Sequence, residues 1–395
     1  MRERGTGRAA SRRATPEAEL AVLLMGTRLR REGAGDRIAA LAASVDQDAF
    51  AYDLTRQRVL PLAGSRLVEV SPGALTAAFR RRFEAALSIA RLRAMAFSTL
   101  TARLAQTLEQ ASIAAVPLKG PTWAAELHGD EALREYADID VLVARQDLDR
   151  AAELIGTLGW TESKPTAGRE AQLHRTLRQP HASLPEVELH WRIHWYETGF
   201  AVALLERSRV IDGLRRLDPV DQLAALLLFY ARDGFAGLRF AGDIAAWWDQ
   251  HGSSDVPVAL ESVMAQHAAL AEPLRAALVV AARVAGLPAE AAPCRCRQRA
   301  RRSALAVRLS NWDLRGDIDQ IHANVTLIDG LLAPRDGLQD FVGRQLLWQA
   351  NSSRHHLGLR VLDRGIHAGK LLIRYAIALW GLRRGRWWSP PVAAP

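Results

Sequence analysis

Asp138-Ile-Asp-Val-Leu-Val143 is the stretch that most narrows what this chain can become. Its continuously apolar end suits a β-strand covered on both faces. Side chains alternate along a strand, so Asp138 and Asp140 leave one face while Ile139, Val141 and Val143 leave the other, toward a core. Two neighbouring carboxylates repel, and a hard divalent cation such as Mg²⁺ is the ordinary partner of clustered oxygens. A bare Asp-x-Asp is more often a solvated pair at a strand end, but here the surroundings add to it. Upstream, residues 113–118 read as a strand that runs into Lys119-Gly120, a strand-to-helix turn whose backbone N–H groups can face a phosphate. Arg134 stands four residues before Asp138. Downstream, Val187-Glu-Leu-His-Trp-Arg-Ile-His194 alternates apolar and polar residues over most of its length, which predicts a half-buried strand carrying Glu188. Beside the first strand it would bring a third carboxylate to one metal site, the arrangement for in-line attack on a phosphoryl group.

These motifs together resemble a known family. Leu118-Lys-Gly120, Arg134 with Asp138-Ile-Asp-Val-Leu-Val143, Asp147-Leu-Asp-Arg-Ala151, Leu158-Gly-Trp160 and Glu188-Leu-His-Trp191 are similar to those of the uncharacterised nucleotidyltransferase family of the polymerase-β-like superfamily, over residues 75–290. The resemblance implies an enzyme dependent on Mg²⁺ (or Mn²⁺). It would move a nucleoside monophosphate from an NTP, ATP first among them, to a hydroxyl, with release of pyrophosphate. It also implies that Asp138, Asp140 and Glu188 are catalytic residues and metal ligands, and that Lys119 and Gly120 meet the phosphates. Where the superfamily has Gly-Ser or Gly-Gly, this chain has Gly120-Pro121, and Pro121 removes one N–H donor from the turn. The phosphate grip then falls on Lys119 and Arg134. Near the end of the first helix after the sheet the family usually carries histidines, and this chain has Phe229-Tyr-Ala-Arg-Asp233. Asp140→Asn should remove transfer and leave stability unchanged or higher, since it relieves repulsion. The acceptor is left open among a protein side chain, a sugar, a small molecule and a nucleic-acid end, the last not favoured. The alternative is a binding or scaffold protein on a degenerate transferase fold, which Pro121 favours and the intact carboxylates oppose.

The expected fold class is α+β: a small mixed or antiparallel sheet with helices on one side, followed by a mostly helical region. Residues 1–15 read as a basic disordered tail and 16–110 as N-terminal helices. Residues 111–197 read as the catalytic core, 198–290 as a helical domain, 291–302 as a basic linker and 303–395 as a C-terminal helical region. Helices are expected over 16–31, 46–58 and 74–109, the last capped by Ser71, with Ile89 and Leu92 in its apolar stripe. Further helices are expected over 121–127 and 146–158, the second stopped by Gly159. Residues 173–177 read as a loop or short helix and 181–184 as a short strand. Strand signals end at Thr198. Asp218-Pro219 opens a buried helix, 235–248 continues, and two more helices fill 253–286.

Hydrophobic residues make up 49% of the 395, which excludes a disordered protein as a whole. The net charge of +9 comes almost wholly from arginine, so Lys119, one of three lysines, is conspicuous in the motif. His174, His181, His190 and His194 match no metal-binding spacing, but His190 shares a strand face with Glu188. Cys294 and Cys296 stand too close for an ordinary structural disulfide, which fits a reduced, cytoplasmic setting. The apolar run 371–382 is too short to span a membrane, but with Arg383-Arg-Gly-Arg-Trp-Trp388 after it, peripheral membrane contact is a minority reading.

Overall fold

The structure, a computed structural model, describes residues 15–163, 173–179, 184–197 and 199–291, with Leu332, Gly369, Ile373 and Ala376 beyond them. The readings made for the basic tail, the strand at 181–184, the two cysteines, the basic linker and the C-terminal region fall outside these residues or almost wholly so. Among the described residues no helix is long and apolar enough to cross a membrane.

The chain opens with α1 (Pro16–Leu24), α2 (Arg28–Gly33), α3 (Gly35–Ser44), α4 (Gln47–Arg56), α5 (Leu60–Val70) and the long α6 (Ala77–Gln110). The single helix expected over 16–31 is two. The chain turns at Met25–Thr27 because the Thr27 N–H donates to the Ala285 carbonyl and its hydroxyl to that of Gly286. A side chain at Gly26 would also strike Arg30 and the Leu23 carbonyl. The cap of α6 is Thr76 rather than Ser71: its hydroxyl accepts the Phe79 N–H at 3.1 Å, while Pro72 heads a short 3-10 turn. Ile89 and Leu92 face outward, and α6 buries a smaller-grained stripe of Ala90, Ala94, Phe97, Leu104 and Leu108.

Next come β1 (Ala115–Leu118), α7 (Gly120–His128), β2 (Asp138–Val143), α8 (Leu148–Thr157), β3 (Thr161–Glu162), β4 (His174–Arg178) and β5 (Glu186–His190). They form one mixed sheet in the order β1-β2-β5-β4-β3, with β2 and β5 parallel and the other pairs antiparallel. Residues 173–177, expected as loop or short helix, lie almost wholly in the strand β4, because β5 offers His174–Leu177 an antiparallel ladder. The strand expected to run to His194 stops at His190, and the Trp191 N–H turns back to the Leu173 carbonyl. The residues opposite the acids, Ile139, Val141, Val143, Val187 and Leu189, meet the buried stripe of α6 and the apolar face of α8. Val116, Leu118 and Leu142 leave the other face and join the helices of both ends of the chain in a second core. Helices therefore cover both faces of the sheet, not one as expected.

After β5 follow α9 (Phe200–Arg207) and a hairpin of β6 (Arg209–Ile211) and β7 (Leu214–Arg216). This hairpin was missed although Asp212-Gly213 is a strong turn signal, and both residues have positive φ, +51° and +77°. Then come α10 (Pro219–Arg232), α11 (Arg239–His251), α12 (Val256–Gln266) and α13 (Ala271–Val284). Asp218 caps α10 by accepting the Val220 N–H at 3.0 Å. Residues 223–230 are wholly buried, as their unbroken apolar run implies. The next helix starts at Arg239 rather than Phe235, because Gly234, Phe235 and Gly237 all have left-handed φ.

Just past β5, Glu197 is a buried acid whose Oε1 accepts the Ile193 N–H at 2.9 Å. Burial pushes its carboxyl up to about 8. The folded chain therefore keeps this proton while the unfolded chain loses it. The contribution is whole below pH 4.5 and is lost as pH rises through 8, on the order of 5 kcal/mol at most. Urea midpoints of wild type and Glu197→Gln at pH 5 and pH 8.5 should show the variant gaining on wild type at the higher pH. Parallel pH profiles for the two proteins would refute this account.

Candidate active site

The parallel register of β2 and β5 sets Asp140 directly against Glu188, with Asp138 one pleat away on the same face. Oxygens of Asp138, Asp140 and Glu188 all lie within 4.8 Å of one another. This is the convergence that the alternation in the two strands implies. The antiparallel register of β4 and β5 adds His174 opposite His190, their rings 4.8 Å apart. His174, Glu188 and His190 form a second, overlapping group of ligand atoms with the same spacing limit. Sequence reading leaves His174 without a role, because the strand that carries it is not recognised; it places His190 on the Glu188 face, where it could hydrogen-bond a metal ligand, and His190 Nε2 does meet Asp140 and Glu188.

Two nitrogens hold Asp140. Lys119 Nζ is 2.9 Å and His190 Nε2 is 2.8 Å from its Oδ1. The same His190 nitrogen lies 3.2 Å from Glu188 Oε2, and His174 Nε2 lies 3.5 Å from Glu188 Oε1. Asp140 is 3% exposed and His190 fully buried. Burial opposes the Asp140 charge, but the Lys119 charge and the His190 hydrogen bond outweigh it and hold this carboxyl far below the usual range. Glu188 is also held down: burial opposes its charge, and the His190 hydrogen bond and charge win. Asp138 goes the other way, pushed up by burial and then by the neighbouring Asp140 charge. His190 is raised, since its hydrogen bonds to Asp140 and Glu188 exceed the cost of burial. His174, lacking so close an anion, is pushed down to about 4 by burial and the nearby His190.

The turn between β1 and α7 is strained where it meets the cluster. Lys119 has φ +55° and ψ −142°, a region that side chains other than glycine's rarely occupy, and Gly120 follows at φ +59°. Gly120 is buried, yet a Cβ built on it would meet nothing within 4 Å. Lys119 itself is 9% exposed and its ammonium also lies over the Phe229 ring, 4.4 Å from the centroid.

Arg134 lies elsewhere. It is 4% exposed, and its Nε donates to Asp243 Oδ2 at 2.8 Å inside the protein. Asp243 on α11 also binds His128 Nε2 at 3.0 Å. Burial opposes the Asp243 charge, but Arg134 and His128 hold it down at about 2. A sequence reader sees Asp243 only as a polar residue in an apolar helix, and that mismatch is the one signal that could have exposed this internal pair.

The sequence model of a family described as "Uncharacterised nucleotidyltransferase" matches residues 43–286, from the end of α3 to just past α13. No curated protein matches the chain.

Proposed function

The chain belongs to this uncharacterised nucleotidyltransferase family, and from that premise we propose that it moves a nucleoside monophosphate from an NTP to a hydroxyl of an acceptor, releasing pyrophosphate. The carrying observation is the meeting of Asp138, Asp140 and Glu188 oxygens within 4.8 Å on one sheet face. A set of carboxylate oxygens on rigid strands fits a hard divalent ion, Mg²⁺ or Mn²⁺, and these three residues would hold it. Bound there, the ion supplies charge at the attacking and leaving oxygens of the phosphoryl transfer. The chain's own groups do the rest. Glu188, flanked by His190 and His174, accepts the proton of the acceptor hydroxyl. Gly120, where an added Cβ would meet nothing within 4 Å, receives phosphate beside Lys119. ATP is the first donor to try, and the acceptor is a protein side chain, a sugar or another small molecule.

A second reading, a binding protein on the same fold without turnover, is favoured by Pro121 after Gly120 and by Lys119 already seated on Asp140. The test is a set of α-labelled NTPs incubated with cell extract, full-length protein and Mg²⁺ or Mn²⁺, with Asp138→Asn in parallel. Label should pass to one acceptor with wild type and not with the variant. Binding of NTP and metal with no labelled product from any donor would favour the second reading.

A further inference from the structure

The end of α10 carries a cation to the carboxylate cluster that no anion there claims. The Arg232 guanidinium lies over the Phe229 ring, 4.8 Å from its centroid. The same ring underlies the Lys119 ammonium and meets the His190 ring edge-on at 6.4 Å. Phe229 is fully buried, so it is a fixed post between the arginine and the acids. Among the described residues Arg232 reaches a carboxylate only at the adjacent Asp233, 3.5 Å from its Nε, and its buried Nη1 has no hydrogen-bond partner. No ion pair joins it to Asp140, whose Oδ1 holds Lys119 and His190.

A second arginine repeats the arrangement. Arg239 opens α11 and lies over Phe240, 5.4 Å from the centroid, and Phe240 stacks on Phe229 at 6.2 Å. Its one hydrogen bond to the Glu135 carbonyl is long, at 3.5 Å. A buried N–H without an acceptor is costly, and the fork of a guanidinium matches the spacing of phosphate oxygens.

We propose that Arg232, backed by Arg239, forms an anion subsite for the terminal phosphates of the nucleoside triphosphate, supplied by α10 and α11 in addition to the Lys-Gly turn. The identity of the anion rests on the nucleotidyltransferase reading. The ligand class is a linear polyphosphate, triphosphate before transfer and pyrophosphate after it. Arg232 thus takes the part that the sequence assigned to Arg134, and the N–H lost at Pro121 is made good from another part of the chain.

Inorganic tripolyphosphate is the probe, titrated calorimetrically into the full chain in metal-free buffer, with AMP as the ligand lacking terminal phosphates. Wild type should bind tripolyphosphate more tightly than AMP. Arg232→Gln should weaken tripolyphosphate about tenfold or more, and Arg232→Lys, which keeps the charge but not the fork, by less. Asp138→Asn should bind it as well as wild type or better. Unchanged binding in Arg232→Gln, or loss in Lys119→Ala alone, would overturn the proposal. If Arg232→Gln does not fold, Arg239→Gln and Arg232→Lys carry the same comparison. Tripolyphosphate bound through Arg232 while no NTP binds with Mn²⁺ would keep the subsite and remove the transfer reading. Transfer with unaltered KM for NTP in Arg232→Gln would do the reverse.

Discussion

Asp140→Asn should lower transfer by about three orders of magnitude or more and also destabilise the fold by about 2–4 kcal/mol. The first effect follows from the metal role proposed for Asp140. The second departs from the sequence expectation of unchanged or higher stability. Asp140 is not a net repulsive charge: Lys119 sits 2.9 Å and His190 2.8 Å from one of its oxygens, all three largely out of water. Removing the carboxylate charge leaves the buried Lys119 ammonium without its anion and leaves His190 with Glu188 alone. Asp138→Asn makes the contrast. Burial and Asp140 already push the Asp138 carboxyl up, so the neutral side chain should be as stable as wild type or more so, while transfer falls as steeply. Urea denaturation of the two variants, read beside Mn²⁺ titrations, separates them. Equal stabilities for Asp140→Asn and wild type would sink the charge assignment.

Asp243→Asn should cost about 3–5 kcal/mol, the largest stability loss expected of any single change in this region. Asp243 is 1% exposed and is the only ion-pair partner found for Arg134 and His128 among the described residues. Arg134 Nη2 is already buried without a partner, so no spare acceptor waits to take over. The Asn variant keeps the shape and leaves the guanidinium uncompensated. Adding Arg134→Met should recover much of the loss, because the methionine removes the stranded charge and keeps the packing over Phe240. Chemical denaturation of both variants is the measurement. A single variant within about 0.5 kcal/mol of wild type would show that Asp243 is not the anchor described here.

The carboxylate cluster was legible because a period of two assigns each residue of a strand to a face without reference to anything else. Asp138, Asp140, Glu188 and the apolar residues between them needed only that rule and a shared sheet. Arg134 was misread for the opposite reason. Its place beside Asp138 in sequence suggested the phosphates, but its environment is set by Asp243 on α11, more than a hundred residues away. His174 was lost with its strand: the residues of β4 have no strong alternation of their own and take their form from the ladder offered by β5. The helices near the N-terminus were blurred for a similar reason, since the break between α1 and α2 is made by carbonyls at the end of α13.

The parallel pairing of β2 with β5 also governs the order in which charges can meet as the chain closes on itself. Parallel neighbours cannot be joined by a tight turn, so between Asp140 and Glu188 the chain runs out through α8, β3 and β4 before it returns. Lys119 reaches Asp140 over a much shorter excursion, because β1 and β2 are antiparallel with only α7 and a turn between them. Loop closure is entropically easier for the shorter path. The attractive contact is therefore the cheap one to close, and the second anion joins a first that its counter-ion has already quieted.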